Sequence, residues 1–154
     1  SVKGLTGLNC RIRIIGDLTP AQKELLDASG LKYSAETGLD DAGMRREYEN
    51  ADIILFCTLF EGFGMPIIEA QACGRPLITS DLSPMREVAG KGAILVDPWS
   101  IFEIRDAVRR VIEDAELRKS LIEHGLQNVL RFRADTIAER YFDLYREMTI
   151  SLAR

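Results

Sequence analysis

The sequence predicts an α/β fold, a doubly wound Rossmann-like parallel sheet with C-terminal helices. Three observations predict it. Short β-rich runs alternate with helical runs from Arg11 to Val96, as βαβ units do. One run, Asp52 to Cys57, is apolar almost throughout, as in a strand covered on both faces. After Ser100 only helical patterns remain. The length of 154 residues, with 46% hydrophobic and 29% charged residues, predicts one globular domain over 1–154. It excludes a disordered chain, a collagen-like fibre and a coiled coil.

Each element has its own signal. Arg11-Ile12-Arg13-Ile14-Ile15 reads as a strand ending at Gly16. Thr19 caps the next helix, Pro20 suits its first position, and Gln22 completes a capping box. Gly30 stops that helix, and Leu31 to Ala35 forms a weaker strand. Asp40 or Asp41 opens a polar helix to about Asn50, and the apolar strand follows. A glycine-rich turn leads to Pro66 and a short buried helix that ends before Gly74. Pro76 to Thr79 is a strand, Ser83 to Ala89 a short helix stopped by Gly90, and Ala93 to Val96 the last strand. Ser100 and Glu103 form a second capping box. Helices are expected over 101–113, 115–131 and 135–152, the last with Ile137, Tyr141, Leu144, Tyr145 and Met148 at helical spacing.

Charge and cysteine usage exclude further classes. The net charge of −4 offers no basic stripe, so nucleic acid is not an expected partner. No apolar run approaches the ~20 residues of a transmembrane segment. Cys10, Cys57 and Cys73 lack metal-ligand spacing and read as reduced thiols of a cytoplasmic protein.

Ligands of doubly wound sheets bind outside the carboxyl ends of the strands. There, Glu61-Gly62-Phe63-Gly64-Met65-Pro66-Ile67-Ile68-Glu69 sets two carboxylates around a helix start. Its glycines let the backbone approach a ligand, and the helix N-terminus suits a phosphate. The carboxylates can accept hydrogen bonds from hydroxyls on either side of that phosphate, each worth about 1.5–3 kcal/mol. A central diphosphate with a ribose at one end (Glu69) and a sugar at the other (Glu61) fits this pattern. A glycine-rich turn before a helix is also common in purely structural settings, so the residue types alone leave both roles open.

The segment Glu61 to Pro76 resembles the signature of the family 4 retaining glycosyltransferases of the GT-B fold. Two glutamates are separated by seven residues, with Gly62-Phe63-Gly64 after the first and Ala70-Gln71-Ala72-Cys73-Gly74-Arg75-Pro76 after the second. Ile14-Ile15-Gly16-Asp17, Glu49-Asn50-Ala51-Asp52-Ile53, Glu87-Val88-Ala89-Gly90 and Leu95-Val96-Asp97-Pro98 resemble further landmarks. The resemblance covers nearly the whole chain. It implies the C-terminal, donor-binding half of a GT-B hexosyltransferase, with 1–154 a fragment of a two-domain enzyme. It implies that Glu69 holds the nucleotide ribose, that Glu61 is the catalytic contact to the donor sugar, and that amides near Phe63, Gly64 and Met65 meet sugar and diphosphate. Gly62 and Pro66 belong to the same site, and Gly16 is expected near the nucleotide. No metal or other cofactor is implied, and the donor is a nucleotide-diphosphate sugar. The partner is the N-terminal acceptor domain of the same polypeptide, without which the chain is expected to be inactive. A cytoplasmic location is expected, membrane-peripheral for the full-length enzyme.

The family's basic phosphate-binding residues from a preceding strand are not found here, which leaves a sheet position vacant and an edge exposed. Arg86 is a minor phosphate candidate and Glu87 a brace for the loop 80–87. Trp99 is expected to pack at a helix start, and His124 to be a surface or packing residue. The alternative function is a non-catalytic nucleotide-binding or interaction module of the same fold. A response-regulator-like domain is disfavoured, because Asp17 stands without acidic partners. The base, sugar, acceptor and oligomeric state are not encoded in these motifs.

Overall fold

The computed structural model describes residues 2–152. After a 3-10 turn at Val2–Leu5 come β1 (Arg11–Ile15), α1 (Pro20–Ala28), β2 (Lys32–Glu36), α2 (Asp41–Asn50) and β3 (Ile54–Phe56). Then follow α3 (Met65–Ala72), β4 (Leu77–Ser80), α4 (Met85–Ala89) and β5 (Ile94–Val96). The tail is α5 (Ile101–Glu113), α6 (Ala115–Val129), a 3-10 turn at Leu130–Phe132, and α7 (Ala134–Leu152). The α/β order and the parallel pairing are those the sequence predicts.

The sheet is not continuous. β1 and β2 form a parallel pair, and β3-β4-β5 a separate three-stranded sheet. Ile12 of β1 and Leu55 of β3 nonetheless pack on one apolar cluster, around Ile78, Val96, Ile104 and Val111. The two sheets thus share a core without sharing a hydrogen-bonded ladder. The apolar run of β3 is covered on both faces, as expected: Leu55 packs on this cluster, and Ile54 and Phe56 pack on a second one on the opposite face. Ile54–Phe56 is nonetheless only half-buried, because one edge of β3 is unpaired. The fully buried strand is β4, which has a neighbour on each edge while β3 has one. The polar residues of β4 are satisfied by the chain beside it: Thr79 Oγ1 donates to Phe56 O at 2.9 Å and Ser80 Oγ to Thr58 O at 2.5 Å. These two bonds fix the end of β3 and the start of the loop after it.

The caps follow the sequence with one exception. Thr19 and Gln22 bond reciprocally, and Asp40 accepts from Gly43 N at 2.7 Å. Ser100 accepts from Glu103 N, but the Glu103 carboxylate takes the amide of Asp97 at 2.9 Å. The second expected capping box is therefore half made, because the amide closing the β5 turn competes for the same carboxylate.

A second apolar cluster joins Tyr48, Ile67, Ala70, Leu77, Met85, Val88 and Ala89. Leu77 and Ile78 point to opposite faces of β4 and so enter different clusters, as strand alternation requires. Inside lies one polar assembly. Gln71 of α3 is buried and donates to Ala89 O at 2.8 Å. Asn128 of α6 donates to Gln71 Oε1 and to Val88 O, and accepts from Arg131. Every member is paired, as burial of polar groups demands. Next to it the backbones nearly touch: a Cβ on Gly92 would lie 2.6 Å from the Gly125 Cα. These contacts lock α3 against α4 and α6.

Candidate functional site

The loop from Cys57 to Gly64 leaves the C-terminal end of β3 and enters α3. Thr58 shapes its start, its hydroxyl donating to Phe60 O at 3.0 Å. Glu61 is half-buried in irregular backbone. Gly64 is the N-cap residue of α3, with φ +97, a conformation that costs other residues about 1–2 kcal/mol. It brings no side chain to the first-turn amides. The amide of Ile67 returns to Gly64 O at 2.9 Å. Pro66 is the second residue of the helix, where a missing N–H is tolerated.

Glu69 stands in the second turn of α3, half-buried. Its Oε2 accepts from the Tyr48 hydroxyl at 2.8 Å. Tyr48 comes from α2 and is 8% exposed. Burial, and then the bond to the Glu69 carboxylate, push the Tyr48 pKa far above its ordinary value, so it is a neutral donor. Phe63 and Met65 are exposed on the loop and first turn. The Phe63 ring stands edge-on to Phe132, with centroids 5.7 Å apart.

The structure therefore brings Glu61, Gly62, Phe63, Gly64, Met65, Pro66 and Glu69 together as one loop-to-helix unit at a strand end. Gly16 follows β1 of the two-stranded sheet, with φ +125 and its amide bonded to Glu36 O at 2.9 Å. Arg86 is paired with Asp81 through both its carboxylate and its carbonyl. This pair, rather than Glu87, braces the loop after β4. Trp99 is 74% exposed and does not pack at the helix start; its amide bonds Asp97 Oδ1. His124 is exposed on α6, its ring bonded to Ser120. Burial raises the Cys57 thiol to about 12 and also raises Cys73, which leaves both as inert thiols at neutral pH. Among the described residues no helix is long and apolar enough to cross a membrane, and no three His, Cys, Asp or Glu side chains cluster as a metal site would.

Sequence reasoning missed Tyr48, because α2 reads as a polar helix. The signal was present in Met44 and Tyr48, an i, i+4 apolar pair that turns inward to the second cluster.

Residues 4–128 match the family of glycosyl transferases group 1. The chain belongs to that family. A D-inositol 3-phosphate glycosyltransferase of Corynebacterium jeikeium is 31% identical over 103 residues, which are 66% of this chain and 25% of that protein. An O-antigen chain mannosyltransferase B of Escherichia coli is 26% identical over 64% of this chain and 26% of its own length. An alpha-D-kanosaminyltransferase of Streptomyces kanamyceticus is 26% identical over 92% of this chain and 39% of its own. This group 1 chain thus spans about a quarter to two-fifths of these relatives. Its fold is that of solved GT-B glycosyltransferase domains. A sucrose-phosphate synthase from Thermosynechococcus elongatus superposes with a TM-score of 0.82 at 21% identity, over 97% of this chain and 41% of that one. The C-terminal domain of a group 1 family protein, LpcC, from Francisella tularensis gives 0.73 at 22% identity, over 84% of this chain and 75% of that one.

Proposed function

We propose that this group 1 chain is the donor-binding half of a retaining, metal-independent glycosyltransferase that draws on a nucleotide-diphosphate sugar. The observation that carries the reading is the unit Glu61 to Glu69, with two carboxylates flanking a helix start that Gly64 leaves uncapped. Glu69 accepts from the ribose hydroxyls, and Glu61 contacts the donor sugar and acts in catalysis. The amides of Phe63, Gly64 and Met65 meet the diphosphate, aided by the α3 dipole, worth about 0.3–1 kcal/mol. As the glycosyl bond breaks, negative charge grows on the departing diphosphate, and donors already aimed at it favour that state over the bound donor. The acceptor is held by the rest of a longer polypeptide, consistent with the share of each relative that this chain spans. The enzyme works in the cytoplasm or at its membrane surface.

Thermal unfolding with UDP, GDP, ADP and their sugars tests this. A ligand at 100 times its Kd adds about 2.7 kcal/mol, a rise of several degrees in a chain of this size. Glu69→Ala is expected to abolish the rise with nucleotide and nucleotide sugar alike. Glu61→Ala is expected to lose only the part that the sugar adds. Equal rises in unaltered and doubly substituted protein would sink the reading. A rise unaffected by EDTA supports metal independence, and one that EDTA removes contradicts it.

A further inference from the structure

We propose that Tyr48 is a positioning residue that sets the carboxylate of Glu69 for a ribose diol. The inference rests on the donor-binding reading of Glu69. Three features of the molecule carry it. First, the Tyr48 ring is immobilised in the second apolar cluster, and its hydroxyl donates to Glu69 Oε2 at 2.8 Å. Second, no other hydrogen bond reaches the Glu69 carboxylate among the described residues, so Oε1 is left for a ligand. Third, α2 is itself anchored. Arg13 of β1 grips Glu47, the residue before Tyr48, through Nε at 2.9 Å and Nη2 at 2.7 Å, and Arg75 donates to Glu49 O at 2.6 Å.

The terminal torsion of a glutamate is broad, so an untethered carboxylate presents many orientations to a diol. A vicinal diol, with two hydroxyls to donate, is best met by a carboxylate whose plane is already set. Tyr48 sets it from one side, and the ligand takes the other. Ordering a rotamer-rich side chain at the moment of binding weakens affinity about two- to tenfold, and Tyr48 removes that cost in advance. A purely structural role is the competing account: a buried hydroxyl needs some partner, and Glu69 happens to be near. That account ties Tyr48 to stability alone.

Tyr48→Phe keeps the ring and deletes only the hydroxyl. Calorimetric binding on the whole chain, with the tightest of UDP, GDP and ADP, compares it with Glu69→Gln and with the double variant. The 2′,3′-dideoxy form of the same nucleotide serves as the second probe. The expected result is a two- to tenfold loss in Tyr48→Phe for the ribonucleotide, no loss for the dideoxy form, and no further loss when Glu69→Gln is already present. Equal losses on both nucleotides, or losses that add to those of Glu69→Gln, overturn the proposal in favour of the structural account. A loss in Glu69→Gln with none in Tyr48→Phe overturns it while leaving the donor-binding reading intact. No effect of Glu69→Gln, or no binding by the unaltered chain, overturns both.

Discussion

α3 and α7 are both helices with apolar residues in number, and they meet opposite fates. α3 has eight residues, and Ile67, Ala70 and Gln71 are buried to 1% exposure or less. α7 has 19 residues, and its Tyr141, Phe142, Leu144, Tyr145 and Met148 are each at least half exposed. The difference lies in what surrounds them. α3 is clamped between β4, α4 and α6 by small residues and by the Gln71–Asn128 assembly. α7 leaves the body after Phe132 and presents its aromatic face to solvent. An apolar stripe therefore states that a face can be buried. Burial itself requires a partner of matching shape.

Substitutions that press on this contrast rank in a clear order. Gly92→Ala is expected to be the most damaging, since its Cβ would meet the Gly125 backbone at 2.6 Å and Gln71 Nε2 at 2.5 Å. Backbone cannot step aside, so the cost sits at or above the upper end of overpacking, about 3 kcal/mol. Thermal unfolding is expected to show a fall of at least about 6 °C.

Gly64→Ala comes second. Its positive φ costs about 1–2 kcal/mol, while the clash at 3.0 Å is with the flexible end of Ile67. Gly62→Ala, where a Cβ meets nothing within 4 Å, is the control that leaves Tm unchanged. A loss for Gly62→Ala equal to that for Gly64→Ala would contradict the assignment of strain to position 64. Leu144→Ser on α7 follows, with a change within about 0.5 kcal/mol, as for exposed sites without special contacts. A drop of several degrees there would mean that α7 is covered in solution.

The smallest effect is electrostatic. Asp135, in the first turn of α7, is held near pKa 2 by Arg133 and then by the Thr136 amide, below its ordinary 3.8. The folded pKa is the lower one, so its stabilisation is present above about pH 4 and is lost as pH falls toward 2. Both partners are exposed, so salt screens the effect. Comparison of Tm between these pH values for Asp135→Asn and the unaltered chain, at low and high salt, measures it.

Much of this was legible in the sequence. Thr19 with Gln22 and Asp40 with Gly43 announce helix starts through local chemistry, and both hold. The site segment was legible because a loop and the helix it enters are contiguous in the chain. What could not be read depends on residues far apart. Glu103 takes the amide of Asp97 because the turn after β5 already spends the Ser100 amide on Asp97 O. Tyr48 reaches Glu69 across 21 positions, and Phe63 meets Phe132 across an even longer stretch. β3 reads as covered on both faces and is, but its half-burial could not be read, because an unpaired edge depends on neighbours that the run itself does not encode.

The divided sheet has a consequence on the time axis of amide exchange. Ile54 N–H donates to Pro76 O across the β3–β4 ladder, at 2.9 Å. Successive residues of a strand alternate in direction, so the amide of Leu55 faces the open edge while its two neighbours face β4. Deuterium is therefore taken up early at Leu55 and late at Ile54 and Phe56, a one-residue alternation within three positions. Any strand that added itself to that edge would slow Leu55 alone and erase the alternation.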